Sequence, residues 1–324
     1  MPGIKTPRRG SLAYYPRKRA RRIYPKLRVI PSSEKAKISG YAAYKAGMSR
    51  AILVDSRKGS PSFGQEITVP VTILDCPPLK VLGIRAYYST PYGKKVFTEV
   101  WTKNLPKELA RKIKAKKVNQ ENLGKIEENL QKVSDVRFIV SSDPRSSGFG
   151  KKTPEVFELP FAGNDLKEKF EFAKQFFGKE IKVSDFLKEG ELVDVISVTK
   201  GKGTAGPVKR FHVKIQNRHA KKKLRHVGAL GSQVPRRVKW TVPMAGQLGF
   251  QTRTEMNKRV LKIGEKGAEV NPSSGFKRYG NIGGNYLVLE GSVPGTKKRF
   301  VLIRPTMRLK SSRIFVPEVK EIFK

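Results

Sequence analysis

Two long parts of this chain contain no acid. Residues 1–33 have neither Asp nor Glu, and the same holds from Val195 to Thr254, sixty residues with fourteen Lys and Arg and all three histidines. Residues 1–33 and roughly 215–255 have too few apolar side chains, and too much like charge, to offset the entropy of ordering alone, so they are expected to need a partner to become ordered. Over all 324 residues, 68 Lys and Arg face 27 Asp and Glu, a formal net charge of +41. That is about one uncompensated positive charge per eight residues, which implies a polyanionic partner. Between Asn104 and Gly190 the balance is ordinary, with 14 acids against 18 Lys and Arg. The charge therefore brackets a balanced middle, in a chain long enough for two domains of roughly 100–200 residues each.

Nucleic acid is the first candidate partner and an anionic membrane the second. No run approaches the roughly 18 apolar residues of a spanning helix, which weakens the membrane reading. The first thirty residues hold ten Lys and Arg and no apolar core, which excludes a secretory signal, while a mitochondrial presequence stays open on this stretch alone. Cys76 is the one cysteine, so neither an intrachain disulfide nor a multi-cysteine zinc site can form. A cytoplasmic, non-secreted chain is expected.

The middle reads as α+β. "KKVFTEVWT" alternates Val96, Thr98 and Val100 as a half-buried strand, and Tyr92-Gly93 suits a hairpin turn after "VLGIRAYYS". Asn104 and Pro106 suit a helix start, with Leu105, Leu109, Ile113, Leu123, Ile126, Leu130 and Val133 on one face and an interruption near Lys116 to Gln120. "DVRFIVS" and "PEVFELPF" are strands. A second helix from Asn164 carries Leu166, Phe170, Ala173 and Phe177 as core until Gly178. On either side, "EITVPVTIL", "ELVDVISV", "RFHVKIQ", "RVLKIG", "YLVLEG" and "KRFVLIRP" are short β runs, and a closed or nearly closed barrel assembled from distant pieces would bury them. No internal repeat is visible.

"GKGTAGPVKR" matches G-x-G-x-x-G on Gly201, Gly203 and Gly206 after a strand. The dinucleotide reading fails beyond that point: "VKRFHVKIQ" alternates like a strand where a helix should begin, and the next acid after Asp194 is Glu255, too far for a ribose contact. A glycine turn can instead bring bare amides and neighbouring cations close to a nucleic-acid phosphate chain. His212, His219 and His226 recur every seven residues, but no cysteine or acid lies near to complete a metal site. No metal, cofactor or catalytic constellation is expected.

The candidate contacts are therefore cations, glycines and interleaved aromatics, since planar rings stack on bases while cations take phosphates. In the first acid-free stretch these are Arg8, Arg9, Tyr14, Tyr15, Arg17, Lys18, Arg19, Arg21 and Arg22. Around the glycines they are Lys200, Gly201, Lys202, Gly203, Gly206, Lys209 and Arg210, followed by His212, Arg218, His219, Lys221, Lys222, Lys223, Arg225 and His226. Arg236, Arg237, Lys239, Trp240 and Arg253 complete the second stretch. A free-standing RNA chaperone or chromatin-like binder shares this charge, and an NAD-dependent oxidoreductase is the remote alternative.

"FLKEGELVDVISVTKGKGTAGPVKR" closely resembles the signature of the universal large-subunit ribosomal protein L-three family, matching from Leu187 through Asp194, Ser197, Thr199 and the three glycines to Arg210. "YKAGMSRAILVD" and "MAGQLGFQTRT" resemble two further family segments, and "MPGIKTPRRGSLAYYPRKRARR" is similar to the start of the archaeal and eukaryotic branch. The resemblance implies a mainly β fold with an α+β insertion: a six-stranded translation-protein-type β-barrel, a basic N-terminal arm and a long basic central loop reaching into rRNA toward the peptidyl-transferase region. Its divisions would be a basic extension at 1–37, a discontinuous barrel from 38–80, 186–214 and 256–310, an insertion at 81–185, an rRNA-penetrating loop at 215–255 and a tail at 311–324. It adds Gln247 and, at the loop tip, Gln233, where eukaryotic members carry tryptophan, so no stacking role is carried over to that tip. The implied role is a non-catalytic structural constituent of the large subunit that binds its rRNA and supports assembly. Its partners would be large-subunit rRNA and neighbouring large-subunit proteins, with no membrane and no homo-oligomer.

Overall fold

The computed structural model describes residues 9–31, 33–57, 59–113, 122–234, 236–308 and 318–323. Arg8, the expected helix interruption at Lys116 to Gln120 and most of the tail lie outside them. The chain divides into two compact units: residues 1–22 with 198–252, and residues 23–197 with 253–324. The first holds eight and thirteen Lys and Arg in its two segments and no acid. The second segment of that unit matches the acid-free run at 195–254 within a few residues, while the first stops at residue 22, short of the acid-free 1–33.

The strands are β1 (Lys37–Ile38), β2 (Tyr41–Val54), β3 (Glu66–Asp75), β4 (Leu79–Thr90), β5 (Gly93–Trp101), β6 (Asp135–Ser141), β7 (Val156–Ala162) and β8 (Glu180–Ile181). They continue with β9 (Leu192–Val198), β10 (Thr204–Ala205), β11 (Gly246–Gln247), β12 (Thr252–Gly264), β13 (Tyr286–Glu290), β14 (Phe300–Pro305) and β15 (Glu318–Ile322). The helices are α1 (Asn122–Glu128), α2 (Leu166–Phe176) and α3 (Pro207–Phe211), beside short 3₁₀ turns. The fold is mainly β.

In the larger unit one sheet runs β14-β9-β12-β13-β3-β2-β15, and β14 also pairs with β2. The β2–β3 pair runs from Tyr44↔Asp75 to Val54↔Glu66, with a register shift between Lys45 and Gly47. Gly47 is required there, because a Cβ would press into the Phe276 ring. The β2 segment escapes a period-two reading: Tyr41 to Ala46 are all buried, so both faces are covered and the pattern does not alternate. The second sheet is ordered β1-β7-β6-β4-β5, with β8 on β4. Asp165 caps α2 by accepting from the Lys167 N–H at 2.9 Å. Phe172 and Phe176 then pack on Phe161 and Phe138 of the sheet, with ring centroids 5.8 and 6.5 Å apart.

Three local expectations change. Among the described residues between Leu105 and Val133 there is a 3₁₀ turn at Lys107–Arg111, the short α1 and another 3₁₀ turn at Leu130–Lys132. β5 exists, but Val96 is 46% exposed while Val100 is fully buried. The register steps from Ala86↔Thr98 to Tyr87↔Val96, so Phe97 is bulged out and the inward face is lost beyond it. "VKRFHVKIQ" is not a strand: α3 begins on Gly206 with Pro207 in its first turn and ends at His212 in the left-handed region. Proline at that position presets a helical φ and has no N–H to lose, which overrides the alternation of the next residues.

Candidate nucleic-acid interface

Although segments this basic are expected to need a partner to become ordered, the acid-free unit is held together from within by backbone pairing and one mixed aromatic and cationic cluster. Thr199 N–H donates to Gln251 O at 3.0 Å, Lys202 N–H to Leu248 O at 3.0 Å, and Leu248 N–H to Gly203 O at 2.9 Å. β10 and β11 continue this ladder with Thr204↔Gln247 and Ala205↔Gly246. The glycine motif is therefore one side of a two-stranded stem. Gly249 on the other side has φ +70, and a Cβ there would collide with the Lys200 carbonyl oxygen. Gly203 has φ +62 with open space around it. These glycines let two backbones close on each other while their cations stay outside.

Below the stem, Arg17 lies 4.3 Å from the Phe211 ring centroid and 5.5 Å from that of Tyr15. Its Nη1 donates to Arg210 O at 2.7 Å. Tyr15 stacks on Phe211 at 6.2 Å and meets Trp240 edge-on at 5.3 Å. Arg210 is spent within the fold as well, donating from Nε to Gln247 O at 3.1 Å and from Nη1 to Met244 O at 2.9 Å. Burial and the nearby Arg17 push its pKa down, though an arginine remains a cation after such a shift. The Ala20 N–H donates to Phe250 O at 2.8 Å, and Arg19 stands 4.9 Å over the Phe250 ring. Arginine stacked on aromatic faces in this way fastens residues 15–20 to the stem.

The residues singled out from the sequence thus separate into two groups. Tyr15, Arg17, Arg210 and Gln247 are half-buried and bond within the unit; the Gln247 Nε2 donates to Leu248 O and Gly249 O at 3.1 and 3.0 Å. The exposed group comprises Arg9, Lys18, Arg19, Arg21, Arg22, Lys200, Lys202 and Lys209, the cations from Arg218 to Arg225, and Arg236, Arg237 and Lys239. Tyr14 is 54% and Trp240 68% exposed, and Trp240 also meets Tyr15. His212, His219, His226 and Gln233 are exposed, and Arg253 is half-buried in the larger unit. Phe211, Phe250 and Gly249 were missed; "LGFQ" carries the signal, a glycine and an aromatic opposite the first glycine run.

In the larger unit β9, the strand that runs into the acid-free stretch, carries a buried ion pair near its start. The Asp194 carboxylate accepts from Arg304 Nη2 at 3.1 Å and Nε at 3.3 Å, and from the Asn257 and Met307 N–H groups at 3.2 and 3.3 Å. Arg304 Nη1 donates to Val29 O at 3.0 Å. One carboxylate therefore ties together β9, β12, β14 and, through Arg304, the N-terminal segment. Among the described residues no helix is long and apolar enough to cross a membrane.

The family described as Ribosomal protein L3 matches residues 1–324 of this chain. The chain is 48% identical over 309 residues to the large ribosomal subunit protein uL3 of Methanopyrus kandleri, covering 93% of this chain and 85% of that protein. It is 46% identical over 323 residues to the uL3 protein of Methanocaldococcus jannaschii and 45% over 321 to that of Methanococcus vannielii, each covering 98% of this chain and 96% of the relative.

Proposed function

The chain belongs to the ribosomal protein L3 family, and on that premise we propose that it is a structural, non-catalytic constituent of the large ribosomal subunit in the cytoplasm, bound to large-subunit rRNA. The observation that carries the reading is the compact unit of residues 1–22 and 198–252, which contains no acid and presents most of its cations to solvent. Phosphate contacts from such a surface position the protein and supply a salt-dependent affinity. The exposed cations, with Tyr14 and Trp240, are the rRNA-contacting residues; Tyr15, Arg17, Arg210 and Gln247 keep the unit in shape.

The finer architecture belongs to the same reading. The pairing path β14-β9-β12-β13-β3-β2 returns to β14 and supports a closed six-stranded barrel of the translation-protein type. Residues 1–37 would be its basic extension, 38–80, 186–214 and 256–310 the barrel, 81–185 the insertion, 215–255 the rRNA-penetrating loop and 311–324 the tail. Neighbouring large-subunit proteins are the remaining partners, and the chain acts as a single copy. The test is reconstitution of large subunits from purified components with this protein omitted. Particles that sediment short of the complete subunit, and are restored by adding the chain back, are expected; full assembly without it would overturn the proposal.

A further inference from the structure

Outside the acid-free unit, two tight turns of the larger unit share one geometry. In Phe276-Lys277-Arg278-Tyr279 the Tyr279 N–H donates to Phe276 O at 2.8 Å, and in Thr296-Lys297-Lys298-Arg299 the Arg299 N–H donates to Thr296 O at 3.1 Å. The third residue of each lies in the left-handed region, Arg278 at φ +67 and Lys298 at φ +69. Glycine or asparagine normally takes that position in a turn of this kind, because a Cβ there is strained. Here both turns place a long cation on it and a second cation, Lys277 or Lys297, just before it.

The two turns are also joined and anchored. Lys297 Nζ donates to Lys277 O at 3.1 Å. Phe276 is buried against Gly47, and the Tyr279 hydroxyl donates to the Asp75 carboxylate at 2.8 Å, so the first turn faces inward at both ends. The Lys298 N–H donates to Lys45 O at 2.8 Å, fixing the second. Lys277, Arg278, Lys297 and Lys298 are all exposed, and none takes part in an ion pair among the described residues. The nearby Lys258 already pairs with Glu255 at 2.9 Å. Two of these four unneutralised cations stand on left-handed backbone, on turns tied to each other through Lys297, and strained backbone of this kind tends to persist at binding sites rather than on inert surface.

We propose that these paired turns are a second, pre-organised seat for phosphodiester groups of RNA, on the larger unit and separate from the acid-free arms. Successive phosphates fit four cations on two adjoining turns, and rigid turns lose little entropy when they bind. The inference rests on the rRNA-binding reading above, and its test separates the two. Binding of the full chain to large-subunit rRNA is measured across a salt series for wild type, for Arg278→Gly with Lys298→Gly, and for Arg278→Lys with Lys298→Arg.

The glycine pair removes two charges and relieves both left-handed positions, so its thermal midpoint should stay level or rise while the salt slope flattens by about 1.4–1.8. The charge-conserving pair should keep the wild-type slope. A wild type without salt-dependent binding would sink the rRNA reading itself. A steep wild-type slope matched by the glycine pair would overturn only this inference, as would equal flattening by the charge-conserving pair, which would mark a structural effect.

Discussion

Asp75, at the end of β3, is 2% exposed, and its Oδ2 accepts from the Tyr279 hydroxyl at 2.8 Å and from the Gly148 N–H at 3.4 Å. Burial raises its pKa from 3.8 to about 6, against the opposing pull of those hydrogen bonds. A carboxyl that holds its proton more tightly in the fold than in the unfolded chain favours the native state at low pH. Its contribution is lost as pH rises from about 4 to about 6, and once it is ionised in both states the fold is about 3 kcal/mol poorer. Asp75→Asn keeps an acceptor for Tyr279 and Gly148 and cannot ionise. The variant should match wild type near pH 4 and melt roughly 5 °C or more above it at pH 8. Thermal unfolding of both proteins across this range, followed by circular dichroism at one ionic strength, reads the difference directly. A gap between them that does not change with pH would refute the reasoning.

Asp194→Asn leaves Arg304 buried beside a neutral partner and should cost about 3–5 kcal/mol in denaturant unfolding, whereas the double variant with Arg304→Met should lose less than the two single changes together. Gly249→Ala drives a Cβ into the Lys200 carbonyl, so it should break the stem and weaken rRNA binding strongly; Gly203→Ala, with open space, should cost only about 1–2 kcal/mol of local strain. Equal effects from the two glycines would count against the stem. Arg17→Gln removes the cation over Phe211 and the bond to Arg210 O, about 1–3 kcal/mol in all, and should speed amide exchange at residues 11–17 and 207–212 in the RNA-free protein.

Much of this molecule was legible because charge and alternation are long-range patterns. The acid-free run at 195–254 coincides within a few residues with one segment of the smaller unit, and β3, β6, β7, β9, β13 and β14 lie where apolar runs are bounded by turn residues. The misses have particular causes. β2 hid because burial on both faces erases a period of two, and Phe97 hid a bulge that turns Val96 outward. Pro207 outweighed the alternation that follows it. That Tyr15 and Arg17 pack with Phe211, nearly two hundred residues away, is something composition cannot reveal. The cationic turns at Lys277 and Lys297 were invisible for a related reason: their meaning lies in backbone φ, and neither stands out in a chain with 68 Lys and Arg.

On the proposed reading, the acid-free unit gains its counter-charge from rRNA. A density map of the large subunit containing this chain tests it most directly. The exposed cations of residues 9–22 and 198–252 should lie within hydrogen-bonding distance of rRNA phosphates, with Tyr15, Arg17 and Phe211 still packed together. A map in which those cations face solvent or protein, while rRNA contacts only the balanced insertion, would contradict it.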